Sequence, residues 1–212
     1  AFGLGIVLNV LFVAVELYYG FVINSSALLA DAGHNFSDVI SLVLAWVAAC
    51  LARKQSTRKF TYGFRKTTIL ASLINGLLIV GASGFILYDA IQKFQNPVEI
   101  PGNTMMLVAA IGIVVNTGTA LLFVKGRNQD LNIKGAFLHM AADAAVTLGV
   151  LIGGLVMKYT GAYWVDPLLS LIIVGVILYS AIGLLIESVH LIMDGVPKNI
   201  DPVQVKQYLE GI

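Results

Sequence analysis

The chain has 212 residues, of which 58% are hydrophobic and only 12% charged, with a formal net charge of +1. Its mean hydropathy of +0.87 and its low share of charge point to a bilayer rather than water as solvent. The near-zero charge excludes the basic footprint of a nucleic-acid binder; the single cysteine, Cys50, excludes an internal disulfide and is expected as a buried small apolar residue.

A spanning helix needs about 20 apolar residues. Six stretches qualify in chain order: Phe2–Asn24, Ala27–Leu51, Thr68–Phe94, Asn103–Val124, Ile133–Tyr159 and Val165–Ile186. The first is too long and too poor in basic leader residues for a signal peptide. Polar turns punctuate them: Asn24-Ser25-Ser26, Gln95-Asn96-Pro97, Pro101-Gly102-Asn103, Gly161 and Asp166-Pro167. The spacing therefore predicts an all-α membrane protein with six transmembrane helices over residues 1–192.

Eleven of the thirteen lysines and arginines fall on one side of this bundle: Arg53, Lys54, Arg58, Lys59, Arg65 and Lys66 in the second loop, Lys125, Arg127 and Lys134 in the fourth, and Lys198 and Lys206 in the tail. Only Lys93 and Lys158 fall on the other. The positive-inside rule makes the basic side cytoplasmic and puts both termini there. Residues 193–212 are polar. Asp201-Pro202 reads as a helix N-cap with proline in the first turn, and the segment is expected to be a linker and first helix opening a cytoplasmic domain truncated here.

The informative residues are the charges inside the spans. The first span carries Glu16, the second Asp31, His34 and Asp38, and the fifth His139 and Asp143. An ionised carboxylate at the bilayer centre costs about 2.5–3.5 kcal/mol on insertion scales, and no lysine or arginine lies deep enough to offset it. These acids are therefore expected to be protonated, water-solvated, or paired with a cation that comes and goes. His34 and Asp38 are four residues apart, as are His139 and Asp143, so each pair shares one helix face. Together the faces offer two imidazoles and two carboxylates, a tetrahedral set suited to zinc. Both aspartates lie about 15–17 Å into their spans, near the midplane, where transporters place their sites. Asp31 and Glu16 are candidates for a proton-carrying or supporting role. Asn9 and Asn116 are expected to hydrogen-bond between helices, Gly149 and Gly153 to allow close helix packing, and His190 to lie on the surface beside Glu187 and Asp194.

The segment Ser26-Ala27-Leu28-Leu29-Ala30-Asp31-Ala32-Gly33-His34 with Asp38, the dipeptide Tyr62-Gly63, His139-Met140-Ala141-Ala142-Asp143, Asp166-Pro167 and Met193-Asp194-Gly195-Val196-Pro197 together resemble the cation diffusion facilitator family, zinc-transporting branch. The resemblance runs from about Phe2 to Pro197. It implies a homodimer that moves zinc out of the cytoplasm, or into a compartment, in exchange for protons, with the transport site at His34, Asp38, His139 and Asp143. It implies that a histidine in the second span goes with zinc over cadmium, and that a metal-binding cytoplasmic domain follows Pro197. Where the family often has arginine and glutamate after Tyr-Gly, this chain has Lys66 and Thr68, so any salt bridge there is not inherited. The short fourth loop without a histidine tract resembles bacterial members, which points to a bacterial inner membrane.

The sequence thus predicts a zinc/proton antiporter, not an enzyme, working by alternating access. The alternatives are carriage of cadmium, cobalt, nickel or iron, a cation channel, and an intramembrane metallo-hydrolase. The last lacks a His-Glu-x-x-His motif and, with four protein ligands, an open position for water.

Overall fold

The computed structural model describes residues 2–53, 64, 66–124, 131–196 and 200–211. Seven helices account for nearly all of them: α1 (Phe2–Val22), α2 (Ser26–Ala52), α3 (Thr67–Gln95), α4 (Gly102–Phe123), α5 (Leu131–Thr160), α6 (Val165–Ile192) and α7 (Pro202–Glu210). Helices α2 to α6 are each long and apolar enough to cross a membrane, and α1 adds a further apolar helix through Val22. This is the expected all-α membrane architecture. The clearest change is α6, which runs six residues past its expected end at Ile186 and carries Glu187 and His190 within the helix. Tyr62-Gly63, most of the basic second loop, Lys125, Arg127, Pro197 and Lys198 lie outside the described residues.

The turns form where local chemistry demands. Asn24 takes the left-handed conformation (φ 57°), tolerated best by asparagine among residues with a side chain, and reverses the chain between α1 and α2. Ser25 caps α2, its hydroxyl accepting from the Leu28 amide at 3.2 Å. Gly161, at φ 67°, ends α5. Asp201 caps α7 as the sequence predicts, accepting from the Val203 amide at 2.9 Å.

In the bundle, α4 packs along α5 and α3 along α6, while α2 joins the two pairs and touches α1, α3, α5 and α6. The apolar core sits towards one end. Ile23, Ala27, Leu28 and Ala30 meet Ile100, Met105, Val108 and Ala109, with Val150, Met157, Ile173 and Val174 closing around them. All lie near the end bearing the α1–α2, α3–α4 and α5–α6 turns, here called the turn end. Close backbone approach supports it: a Cβ on Gly102 would lie 2.7 Å from the Gly154 carbonyl oxygen. Gly153 packs against Leu169 of α6, but a Cβ on Gly149 would meet nothing within 4 Å, so the expected Gly149–Gly153 pair is not a joint packing surface. Cys50 is exposed rather than buried, because the far half of α2 has few neighbours and presents this face outward.

A polar clamp locks the turn end. Asp166, buried at the start of α6, accepts from the Ser25 hydroxyl, from the Ser26 amide at 2.7 Å and from the Ala27 amide at 3.3 Å. One carboxylate thus satisfies amides that the first turn of α2 leaves open. The Ser26 hydroxyl donates to Asp89 of α3 at 2.6 Å, and Lys93 pairs with the same Asp89 oxygen at 2.7 Å. At the opposite end, Lys66 and Asp194 form an exposed ion pair at 2.8 Å.

Candidate metal centre

Helices α2 and α5 cross where their polar faces meet. The four-residue spacing stacks His34 over Asp38 and His139 over Asp143, and the crossing interleaves the two pairs. His34 Nε2 lies 3.3 Å from Asp143 Oδ1 and 3.9 Å from Asp38 Oδ2. His139 Nε2 lies 3.1 Å from Asp38 Oδ2 and 3.7 Å from Asp143 Oδ2. A tetrahedron with metal–ligand bonds of about 2.0–2.1 Å has edges of about 3.3 Å, within the spread of these separations. Ligand atoms of His34, Asp38 and Asp143 all fall within 4.8 Å of one another. His139 stands slightly outside that group, its ring centroid 6.0 Å from that of His34 at an interplanar angle of 69°.

Asp143 is 1% exposed, and neither of its oxygens accepts a hydrogen bond of good geometry among the described residues. Its neighbours are the two imidazoles, placed at the separation of ligands around a common ion. His34, Asp38 and His139 keep more exposure, 26%, 27% and 42%, while the apolar core packs on the turn-end side of the site.

Glu16 and Asp31 do not join the metal group, but they are close to it and fully buried. Asp31 accepts from Thr147 Oγ1 at 3.0 Å, and Glu16 accepts from Asn35 Nδ2 at 3.2 Å. Thr147 and Asn35 are the residues that sequence reasoning missed. Thr147 lies one turn beyond Asp143, and its hydroxyl is also 2.9 Å from the Asp143 carbonyl oxygen. Asn35 follows His34 directly, and both positions can be found by reading helix faces rather than charges alone. Asn116 bonds across helices as expected, its amide donating to Thr147 Oγ1 at 3.4 Å, whereas Asn9 Oδ1 has no partner among the described residues. His190 is exposed, with Nε2 2.9 Å from the Val196 carbonyl oxygen, a contact that folds the chain back after α6.

Residues 4–193 match the cation efflux transmembrane domain, a match that contains α2, α5 and every residue of the site. The chain belongs to the cation efflux family. It is 37% identical over 202 residues to a "Cadmium, cobalt and zinc/H(+)-K(+) antiporter" of Bacillus subtilis, covering 94% of this chain and 65% of that protein. It is 34% identical over 197 residues to "Zinc transporter ZitB" of Escherichia coli, covering 92% and 63%. It is 31% identical over 198 residues to "Metal cation efflux system protein CzcD" of Cupriavidus metallidurans, covering 93% and 63%. The chain thus spans slightly under two thirds of the length of these cation efflux relatives, and the matched part is membrane-integral.

Proposed function

We propose that the protein carries zinc out of the cytoplasm in exchange for protons, binding it between His34, Asp38, His139 and Asp143. The observation that carries this reading is the meeting of two imidazoles and two carboxylates at tetrahedral-edge separations inside an apolar bundle. Zinc is the substrate, and the protein supplies a shaped cage for it, dry at Asp143 and partly exposed at the other three ligands. Neutral imidazole and ionised carboxylate bind the metal, so loading releases protons and acid favours unloading. With the basic loops cytoplasmic, the site faces the cytoplasm in this conformation and the clamp of Ser25, Ser26, Asp89 and Asp166 seals the opposite side. Alternating access requires that clamp to part while the cytoplasmic half closes.

The working unit is a homodimer in a bacterial inner membrane, since the relatives named above are bacterial. Residues 1–192 form the transport domain, and 193–212 form the linker and first helix of a cytoplasmic domain. A second reading, carriage of cadmium or cobalt with zinc, has specific support in the name of the Bacillus subtilis relative. The channel and hydrolase alternatives gain no support from relatives named transporters and antiporters.

Zinc uptake into proteoliposomes under an imposed pH gradient tests the proposal. Uptake that rises when the vesicle interior is acid, and that vanishes in Asp143→Ala, is expected. Uptake indifferent to the gradient refutes antiport, and no uptake at all refutes carriage.

A further inference from the structure

We infer that Glu16 and Asp31 form a second cation site, a carboxyl–carboxylate pair that holds one exchangeable proton apart from the zinc ligands. The inference rests on the carrier reading above for its role in transport, but not for the existence of the pair. Both side chains are 0% exposed, and Asn35, which holds Glu16, lies one helical turn after Asp31, so the two carboxyls line the same face of α2. One oxygen of each is already satisfied: Glu16 Oε2 by Asn35, Asp31 Oδ2 by Thr147. The remaining oxygens, Glu16 Oε1 and Asp31 Oδ1, are buried and have no donor among the described residues. Two buried acceptors left open on one helix face in an apolar medium need a hydrogen, and a single shared proton supplies it.

Among the described residues no lysine or arginine pairs with either carboxyl. On α2 the nearest titratable group is His34, and on α5 it is Asp143, both acting through space. Helix α4 carries no titratable residue. On α3, Asp89 and Lys93 are engaged with each other and with Ser26. On α6, Asp166 is engaged with Ser25, while Glu187 and His190 lie near the far end. No hydrogen bond joins the pair directly to His34, Asp38, His139 or Asp143 among the described residues; Thr147 stands between, bonded to Asp31 and to the Asp143 backbone.

The pair is therefore close enough to feel the charge of an arriving divalent ion without ligating it. Occupation of the His/Asp cage favours the doubly ionised pair, and its proton leaves to water; departure of the metal restores it. Charge balances as one proton out against part of the incoming double charge.

The test counts protons released per zinc by the full chain, from calorimetry in buffers of different ionisation enthalpy. Glu16→Gln and Asp31→Asn are each expected to keep one zinc per chain and to release about one proton fewer than the unsubstituted protein. An unchanged count in both variants overturns the inference. So does loss of zinc binding by folded variants, which would place the pair among the ligands. Infrared difference spectra of the unsubstituted protein guard against a misfolded variant: a protonated-carboxyl band lost on adding zinc is expected, and its absence before zinc overturns the inference. If the unsubstituted protein binds no zinc, the carrier reading fails, and the carboxyl band in the zinc-free protein still decides the pair.

Discussion

Each of the four cage residues serves a distinct physical purpose. Asp143 is the most desolvated and would gain most from a bound cation, whereas His34, Asp38 and His139 are 26%, 27% and 42% exposed. Replacing Asp143 or His34 by alanine is therefore expected to weaken zinc binding by more than the roughly 10–100-fold typical of an outer hydrogen-bond partner. Calorimetric titration checks this. Thr147→Val is the contrasting case. It keeps the shape but removes the hydroxyl between Asp31 and Asp143, with an expected loss of roughly 10-fold in zinc affinity and one zinc still bound per chain. Zinc affinity should also fall as the pH drops through the histidine range, because protonated imidazole has no lone pair for the metal. At this scale the sequence was highly legible. Charges are costly in hydrocarbon, so His34, Asp38, His139 and Asp143 stood out, as did Glu16 and Asp31. Thr147 and Asn35 did not, because hydroxyls and amides are tolerated in helices for many reasons, and only coordinates show which neighbour they serve.

The helices explain why those residues meet. Helix α2 is fixed at its first turn by Asp166 and then runs free of close neighbours on one side, so its His34–Asp38 face is positioned by the clamp more than by its far half. Asp166→Ala leaves the Ser26 and Ala27 amides and the Ser25 hydroxyl without their acceptor, an expected cost of about 1–3 kcal/mol for each donor left buried. A lower thermal midpoint in detergent checks this, with Asp166→Asn recovering part of the loss. The α4–α5 contact is tested by Gly102→Ala, whose methyl would press on the Gly154 carbonyl and should destabilise by about 1–3 kcal/mol. Gly149→Ala is the control, with open space around it and a neutral or slightly stabilising effect expected. Hydropathy made the spans readable to within a few residues, except that α6 outlasts its apolar stretch because Glu187 and His190 are helix-compatible and lie where the bundle meets water. Which glycines pack, and whether Cys50 is covered, depends on helix rotation, which bulk hydropathy does not encode.

At the scale of the whole molecule, the apolar core and the polar clamp occupy the turn end, while the basic residues Arg53, Lys66 and Lys134 are exposed at the other. Under the proposed carrier function, that asymmetry assigns the clamp the role of the gate that must part for release. The central claim is that zinc sits among His34, Asp38, His139 and Asp143. Zinc-edge X-ray absorption on the zinc-loaded protein tests it most directly. The account predicts four nitrogen and oxygen ligands at about 2.0–2.1 Å, with an imidazole signature that weakens in His139→Ala and again in the His34→Ala, His139→Ala double variant. A sulfur ligand, a six-oxygen shell, or a spectrum unchanged by losing both histidines would contradict it.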